Sequence, residues 1–123
     1  MTTILVIDDE PSVLRALART LRPHRVVTAN SASEALRLLE AGDAFDLVLS
    51  DMMMPGVTGA DLHAILEKTH PTLAHDMLFL SGGGTTPATK AFLAANESRV
   101  VMKPFDGPVL IACVNATLEK KAR

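Results

Sequence analysis

The sequence predicts an α/β domain, a five-stranded parallel sheet doubly wound with helices on both faces. Three observations carry that expectation. Short apolar runs alternate five times with helical patterns, the order that builds a parallel sheet. The runs are continuously apolar rather than alternating, as strands buried on both faces are. The 123 residues, 48% hydrophobic and 21% charged, suit one compact domain spanning 1–123.

Each unit can be justified in turn. Ile4 to Ile7 (ILVI) is a strand ended by Asp8 and Asp9. Pro11 then sits where a first helical turn begins, and Leu14, Leu17, Ala18 and Leu21 follow at the spacing of one helix face. Arg25 to Ala29 (RVVTA) is the second strand. Asn30, Ser31 and Ser33 are N-cap candidates for a helix with Ala32, Ala35, Leu36 and Leu39 on one face, and Gly42 ends it. Leu47 to Ser50 (LVLS) is the third strand. Pro55, Gly56 and Gly59 form a loop before a third helix marked by Leu62, Ile65 and Leu66. Met77 to Leu80 (MLFL) is the fourth strand, followed by the SGGGTTP loop and a short helix over Pro87 to Ala95. Val100 to Met102 (VVM) is the fifth strand. Asp106 can cap a last helix with Leu110, Cys113, Val114, Thr117 and Leu118 inward.

Composition narrows the function classes. The formal net charge is -2 and aromatics are 3%, without Trp or Tyr. Such a balance points away from nucleic acid and from membrane surfaces as partners. The terminal KKAR reads as a solvated end. One cysteine, Cys113, leaves no internal disulfide framework, and in an apolar helical pattern it reads as a small core residue. The N-terminus has no basic leader region. No window approaches the ~18 apolar residues of a membrane span, so the expected compartment is the cytoplasm. The histidines at 24, 63, 70 and 75 lack ligand spacing and read as surface residues.

In an open parallel sheet, ligands sit beyond the carboxyl ends of the strands. There the sequence places Asp8 and Asp9 after strand one, Asp51 after strand three, Ser81 after strand four and Lys103 after strand five. Taken singly, each has a plainer reading: helix-entry caps for the acid pair, a turn acid, loop chemistry and a surface lysine. Together they are specific. Carboxylates gathered at one spot repel unless a cation joins them, and oxygen-only ligands select a hard ion such as Mg²⁺. A hydroxyl and an ammonium beside them suit a phosphoryl group.

Four stretches, ILVIDDEP, LVLSDMMMPGVTG, FLSGG and VMKPF, resemble the receiver domain of response regulators in two-component signalling, and the resemblance covers essentially the whole chain. It implies a flavodoxin-like (βα)₅ fold. It implies that Asp51 is the phosphoacceptor, and that Asp8 and Asp9 are the acid pair, with Asp9 the more direct Mg²⁺ ligand. The main-chain carbonyl of Met53 would complete the protein's share of the metal shell. Ser81 and Lys103 would contact phosphoryl oxygens, and the Lys103–Pro104 bond would be cis. The donor would be a histidine kinase or histidine phosphotransfer protein, and the domain a switch rather than a turnover enzyme. The stretch FLSGGGTTPATKAFLAANESRVVMKPF is also similar to receivers of hybrid sensor histidine kinases, which suggests a phosphorelay role.

The chain departs from the family pattern at Val100, where an aromatic often stands three residues before the lysine. Met53 offers no hydrogen bond to an attacking water and Gly83 offers no side chain, so neither should assist hydrolysis of a phosphorylated Asp51. Met52 reads as loop filler, and Met54 as a packing residue. On the first helix, Val13, Ala16 and Thr20 form an outer stripe beside Asp9, flanked by Arg15, Arg19 and Arg22. That stripe is the expected docking place for the partner, near Val13, Ala16, Arg19 and Thr20. Three other readings compete. An aspartyl-nucleophile phosphatase would want a second acid where Met53 stands. A non-phosphorylated pseudo-receiver would have lost an acid or the lysine. A flavin carrier is at odds with the acid cluster and the scarcity of aromatics.

Overall fold

A computed structural model describes residues 2–82 and 86–122. The strands are β1 (Thr3–Ile7), β2 (Arg25–Ala29), β3 (Leu47–Asp51), β4 (Leu78–Ser81) and β5 (Val100–Met102). They form one parallel sheet in the order β2-β1-β3-β4-β5. The helices are α1 (Pro11–Thr20), α2 (Ala32–Glu40), α3 (Gly59–Thr69), α4 (Pro71–Asp76), α5 (Pro87–Ala95) and α6 (Gly107–Ala122), with a 3₁₀ turn at Glu97–Arg99. All five predicted strands and the predicted doubly wound architecture are present.

The strand side chains separate by parity, as a period of two requires. Ile4, Val6, Leu47, Leu49, Leu78 and Leu80 pack with Leu14, Leu17 and Leu21 from the α1 side and Leu110 and Val114 of α6. Leu5, Ile7, Val48 and Phe79 face the other way, toward Ala35 and Leu39 of α2, Leu62 and Leu66 of α3, and Leu73 and Ala74 of α4. Phe92 and Leu93 of α5 pack against that second layer. The core is thus two aliphatic layers with the sheet between them.

Several local features match the sequence chemistry. Ser31 caps α2 by accepting the Glu34 N–H at 3.1 Å, and Gly42 follows that helix at φ +91°, a left-handed position that glycine takes without a Cβ clash. Thr58 and Asp61 form a reciprocal capping box on α3. Asp106 Oδ1 accepts the Val109 N–H at the start of α6.

Five expectations need correction. Gly59 opens α3 rather than lying in a loop. The six-residue helix α4 was not foreseen. Met52 is fully buried among the α2–α5 layer instead of filling a loop. His63 is buried rather than superficial. Its Nε2 lies 3.1 Å from the Ala74 carbonyl and its Nδ1 3.3 Å from the Glu67 carboxylate, with its ring edge-on to Phe79 and Phe92. Cys113 is only half-buried, although burial still raises its thiol pKa. The middle of the SGGGTTP loop, residues 83 to 85, lies outside the described residues, and with it Gly83.

Candidate functional site

The sheet register brings the polar strand ends level. Ile7 pairs with Ser50, Asp51 with Leu80, and Ser81 with Met102, so Asp8, Asp51, Ser81 and Lys103 meet at one edge. That edge flanks the place where the strand order reverses, between β1 and β3, the usual ligand position in such sheets. Asp51 is the last residue of β3 rather than the one after it, and is only 4% exposed. Its own backbone is fixed from several sides. The Ser50 hydroxyl donates to the Asp51 carbonyl at 3.0 Å, and the Met52 N–H donates to the Leu80 carbonyl at 2.9 Å. The Gly59 N–H donates to the Met52 carbonyl at 3.1 Å.

Oxygens of Asp8, Asp9 and Asp51 all lie within 4.8 Å of one another. Asp8 is fully buried and Asp9 is exposed. Asp8 Oδ1 accepts the Glu10 N–H at 2.9 Å, while Asp8 Oδ2 sits 2.8 Å from the Lys103 ammonium. The same ammonium is 3.4 Å from Asp51 Oδ1, which also accepts the Met53 N–H at 3.4 Å. Ser81 is buried, and its hydroxyl has no hydrogen-bond partner among the described residues. A buried hydroxyl without a partner is uncommon, and it marks a place where an incoming oxygen can be received. The Lys103–Pro104 peptide is cis, and the Lys103 N–H donates to the Ser81 carbonyl at 2.8 Å. Met53 is 38% exposed while Met52 and Met54 are buried, so the three methionines part at the site edge.

These donors fit a hard divalent cation. The cluster holds oxygen and neither sulfur nor imidazole, the set that suits Mg²⁺. Asp8, Asp9 and Asp51 are the groups whose oxygens lie close enough together to hold it.

Electrostatics agrees with that reading. Burial first, and the Asp8 charge second, raise the Asp51 carboxyl above its ordinary range, against the lowering effect of Lys103 and the Met53 N–H. The Lys103 ammonium is held above its ordinary value by the two acids, despite desolvation. For an acid whose folded pKa is raised, the folded state keeps its proton longer than the unfolded chain. Stability therefore falls as pH rises through that window and stays lower above it. Metal-free Asp51→Asn protein is expected to melt a few degrees higher than wild type at pH 7. The gain should vanish below the ordinary carboxylate range. Thermal melts in chelator across pH check this, and an unchanged or lowered melting temperature at pH 7 would refute it.

The first helix departs from its expected geometry. Arg15, Arg19 and Arg22 are exposed, but Val13, Ala16 and Thr20 are half-buried. Val13 and Ala16 instead line a groove of about 360 Å³ together with Pro104 and Phe105, to which Glu10, Ser12 and Lys103 also contribute. Thr20 lies toward the start of α6, its Cγ2 3.7 Å from where a Cβ on Gly107 would be. Phe105 is the lining residue that sequence reasoning passed over. Its signal was an aromatic just past a strand-end lysine.

Comparisons with known proteins agree with the fold. The family model described as the response regulator receiver domain matches residues 4–115. The chain is 31% identical over 121 residues to the transcriptional regulatory protein GlrR of Escherichia coli, covering 97% of this chain and 27% of that one. It is 34% identical over 122 residues to the sensor kinase CckA of Brucella abortus, covering 97% of this chain and 13% of that one. It therefore spans about a quarter or less of either relative. A crystal structure of a receiver domain from Clostridium thermocellum superposes with a TM-score of 0.84 at 31% identity, covering 99% of this chain and 98% of that one.

Proposed function

Because the chain belongs to the response regulator receiver domain family, we propose that Asp51 accepts a phosphoryl group from a phosphohistidine on a partner protein. The observation that carries this reading is one buried carboxylate at a strand end, beside two further acids, an ammonium and an unpartnered hydroxyl. An Asp51 Oδ attacks phosphorus, the P–N bond to the partner's imidazole breaks, and its electron pair stays on the imidazole, which takes up a proton. An acyl phosphate results. Bound Mg²⁺ would supply charge neutralisation for the phosphoryl oxygens, held by Asp8, Asp9, Asp51 and the Met53 carbonyl. Lys103 meets one phosphoryl oxygen and the Ser81 hydroxyl donates to another. Asp51 stands at a strand end tied by backbone hydrogen bonds, so the nucleophile is held in place for attack.

The added charge, roughly -1.5 to -2, draws Lys103 and Ser81 toward Asp51 and so biases the neighbouring surface of β4, α5 and β5. The likeness to CckA, a sensor kinase, supports a histidine kinase or phosphotransfer protein as partner. In this reading the domain works in the cytoplasm. Residues 1–123 act as one receiver unit in this reading. Incubation with acetyl phosphate and Mg²⁺ tests it by intact mass. Wild type is expected to gain the mass of one phosphoryl group and Asp51→Ala none. No gain in wild type, or an equal gain in the variant, overturns the assignment.

A further inference from the structure

We propose that phosphorylation moves α5 as a lever that pivots on Arg99, a clamp holding the C-terminal end of that helix to α4 at the end of the sheet opposite Asp51. The inference rests on the reading of Asp51 as phosphoacceptor and adds a regulatory device to it.

Topology sets the two ends of α5 apart. The helix follows the carboxyl end of β4, which carries Ser81, and leads through the Glu97–Arg99 turn into the start of the parallel strand β5. Its N-terminal end therefore lies on the phosphoryl side of the sheet and its C-terminal end on the far side.

The far end is tied. Arg99 Nη1 donates to the carbonyls of Ala74 and His75, each at 3.0 Å, and Nη2 donates to Asn96 Oδ1. The Asn96 side-chain amide in turn donates to the Phe92 carbonyl at 2.8 Å. These carbonyls belong to the last turns of α4 and α5, where a helix runs short of its own donors. A planar guanidinium serves two carbonyls and an amide oxygen at once, which a compact ammonium does not. Arg99 also stands over the Phe79 ring, its Cζ 5.8 Å from the centroid, and Phe79 meets Phe92 edge-on at 5.1 Å between centroids. One side chain thus joins α4, β4 and α5.

The near end is loose. Thr89 is the one buried side chain of α5, while Ala88, Lys90 and Ala91 are exposed. Among the described residues the hydrogen bonds of the first turn stay local. Thr86 Oγ1 accepts the Thr89 N–H at 3.2 Å and the Thr86 carbonyl accepts the Lys90 N–H at 3.0 Å. An end with so few buried contacts shifts at low cost. A phosphoryl group that draws Ser81 toward Asp51 then tilts this end, and the Arg99 end stays in place.

Residue-resolved amide NMR tests the lever, with acetyl phosphate and Mg²⁺ in excess and Asp51 occupancy read by intact mass. In wild type the amide resonances of Thr89, Lys90 and Ala91 are expected to move, while the Asn96 side-chain amide and Arg99 Nε–H resonances hold their positions. In Arg99→Met the displacement is expected to spread into Leu93, Ala94 and Ala95, several-fold beyond the wild-type change there, at undiminished Asp51 occupancy. A merely stabilising Arg99 would lower the melting temperature on substitution and leave the pattern of phosphorylation shifts unaltered, and that result overturns the pivot. So does a wild-type shift of equal size at both ends, or none in α5 at full occupancy. Should Arg99→Met not fold, Asn96→Ala decides by the same pattern, since it cuts the Arg99 link to α5 and leaves the α4 carbonyls capped. No mass gain in wild type would overturn the phosphoacceptor reading, and the lever with it.

Discussion

Gly59→Ala is expected to destabilise the protein by about 3 kcal/mol, the upper end of what overpacking costs. At about 4 °C per kcal/mol for a chain of this length, the melting temperature should drop on the order of 10 °C. The reason is a close approach rather than an unusual backbone angle. A Cβ at this position would lie 2.6 Å from the Asp51 carbonyl oxygen, 3.0 Å from Met52 Cα and 3.2 Å from Met52 Sδ. Two of those atoms are main chain and cannot turn aside, so the start of α3 would have to lift from the end of β3. The lift also breaks the 3.1 Å bond from the Gly59 N–H to the Met52 carbonyl, one of the ties that hold the phosphoacceptor strand end. Acetyl phosphate labelling of Asp51 should therefore slow along with the loss of stability. Gly107→Ala is the control. It too opens a helix, but a Cβ there would meet Thr20 Cγ2 at 3.7 Å, an ordinary contact, and stability should be unchanged or slightly raised. Equal melting temperatures for Gly59→Ala and wild type would refute the steric argument.

That contact shows where sequence reading stops. Four strands were legible because each carries an unbroken apolar run that ends on a polar residue, whereas the edge strand β2, RVVTA, has Arg25 and Thr28 exposed; the topology rule then brings the strand ends to one edge. Asp8, Asp9, Asp51, Ser81 and Lys103 were singled out this way, from chain-local signals, as candidates at that edge. Gly59 was read as a loop glycine because its constraint comes from a backbone eight residues away. Helix α4 escaped for a related reason: six residues with Leu73 and Ala74 buried are too few to display a helical period. His63 looked superficial because its partners, the Ala74 carbonyl and the Phe79 and Phe92 rings, lie 11 or more residues away. Met52 could have been caught. Val48 and Met52 share a face of β3 extended by one residue, so the period of two runs past the strand end. The pairing of Lys103 with Asp8 had no sequence signal, since it joins the ends of two strands, β1 and β5, that are not neighbours in the sheet.

Ala16→Glu is expected to cut phosphoryl transfer from the cognate phosphohistidine partner roughly 100-fold, the effect of losing a central contact in an interface. Labelling by acetyl phosphate should stay within about twofold, because a small donor needs no docking surface. The groove beside the acids gives the physical case. Val13, Ala16, Pro104 and Phe105 supply its apolar lining. An apolar trough of this kind accepts the side chains of a helix laid along α1, as amphipathic helices enter grooves elsewhere. Lys103 and Glu10 contribute to the same trough, so a helix seated there would bring its histidine to the strand-end edge that holds Asp51. The exposed Arg15, Arg19 and Arg22 would steer an acidic flank of that helix and fix its direction. A glutamate at position 16 fills the trough with a longer side chain and buries a charge beneath the partner, near Glu10 and without a cation assigned to it. Burying an unpaired carboxylate is costly, whereas in the free protein the same side chain can reach water, so the fold should tolerate it. Unimpaired transfer from the partner would show that the phosphodonor approaches by another face. Loss of labelling by acetyl phosphate as well would place the damage in the acid cluster rather than in docking.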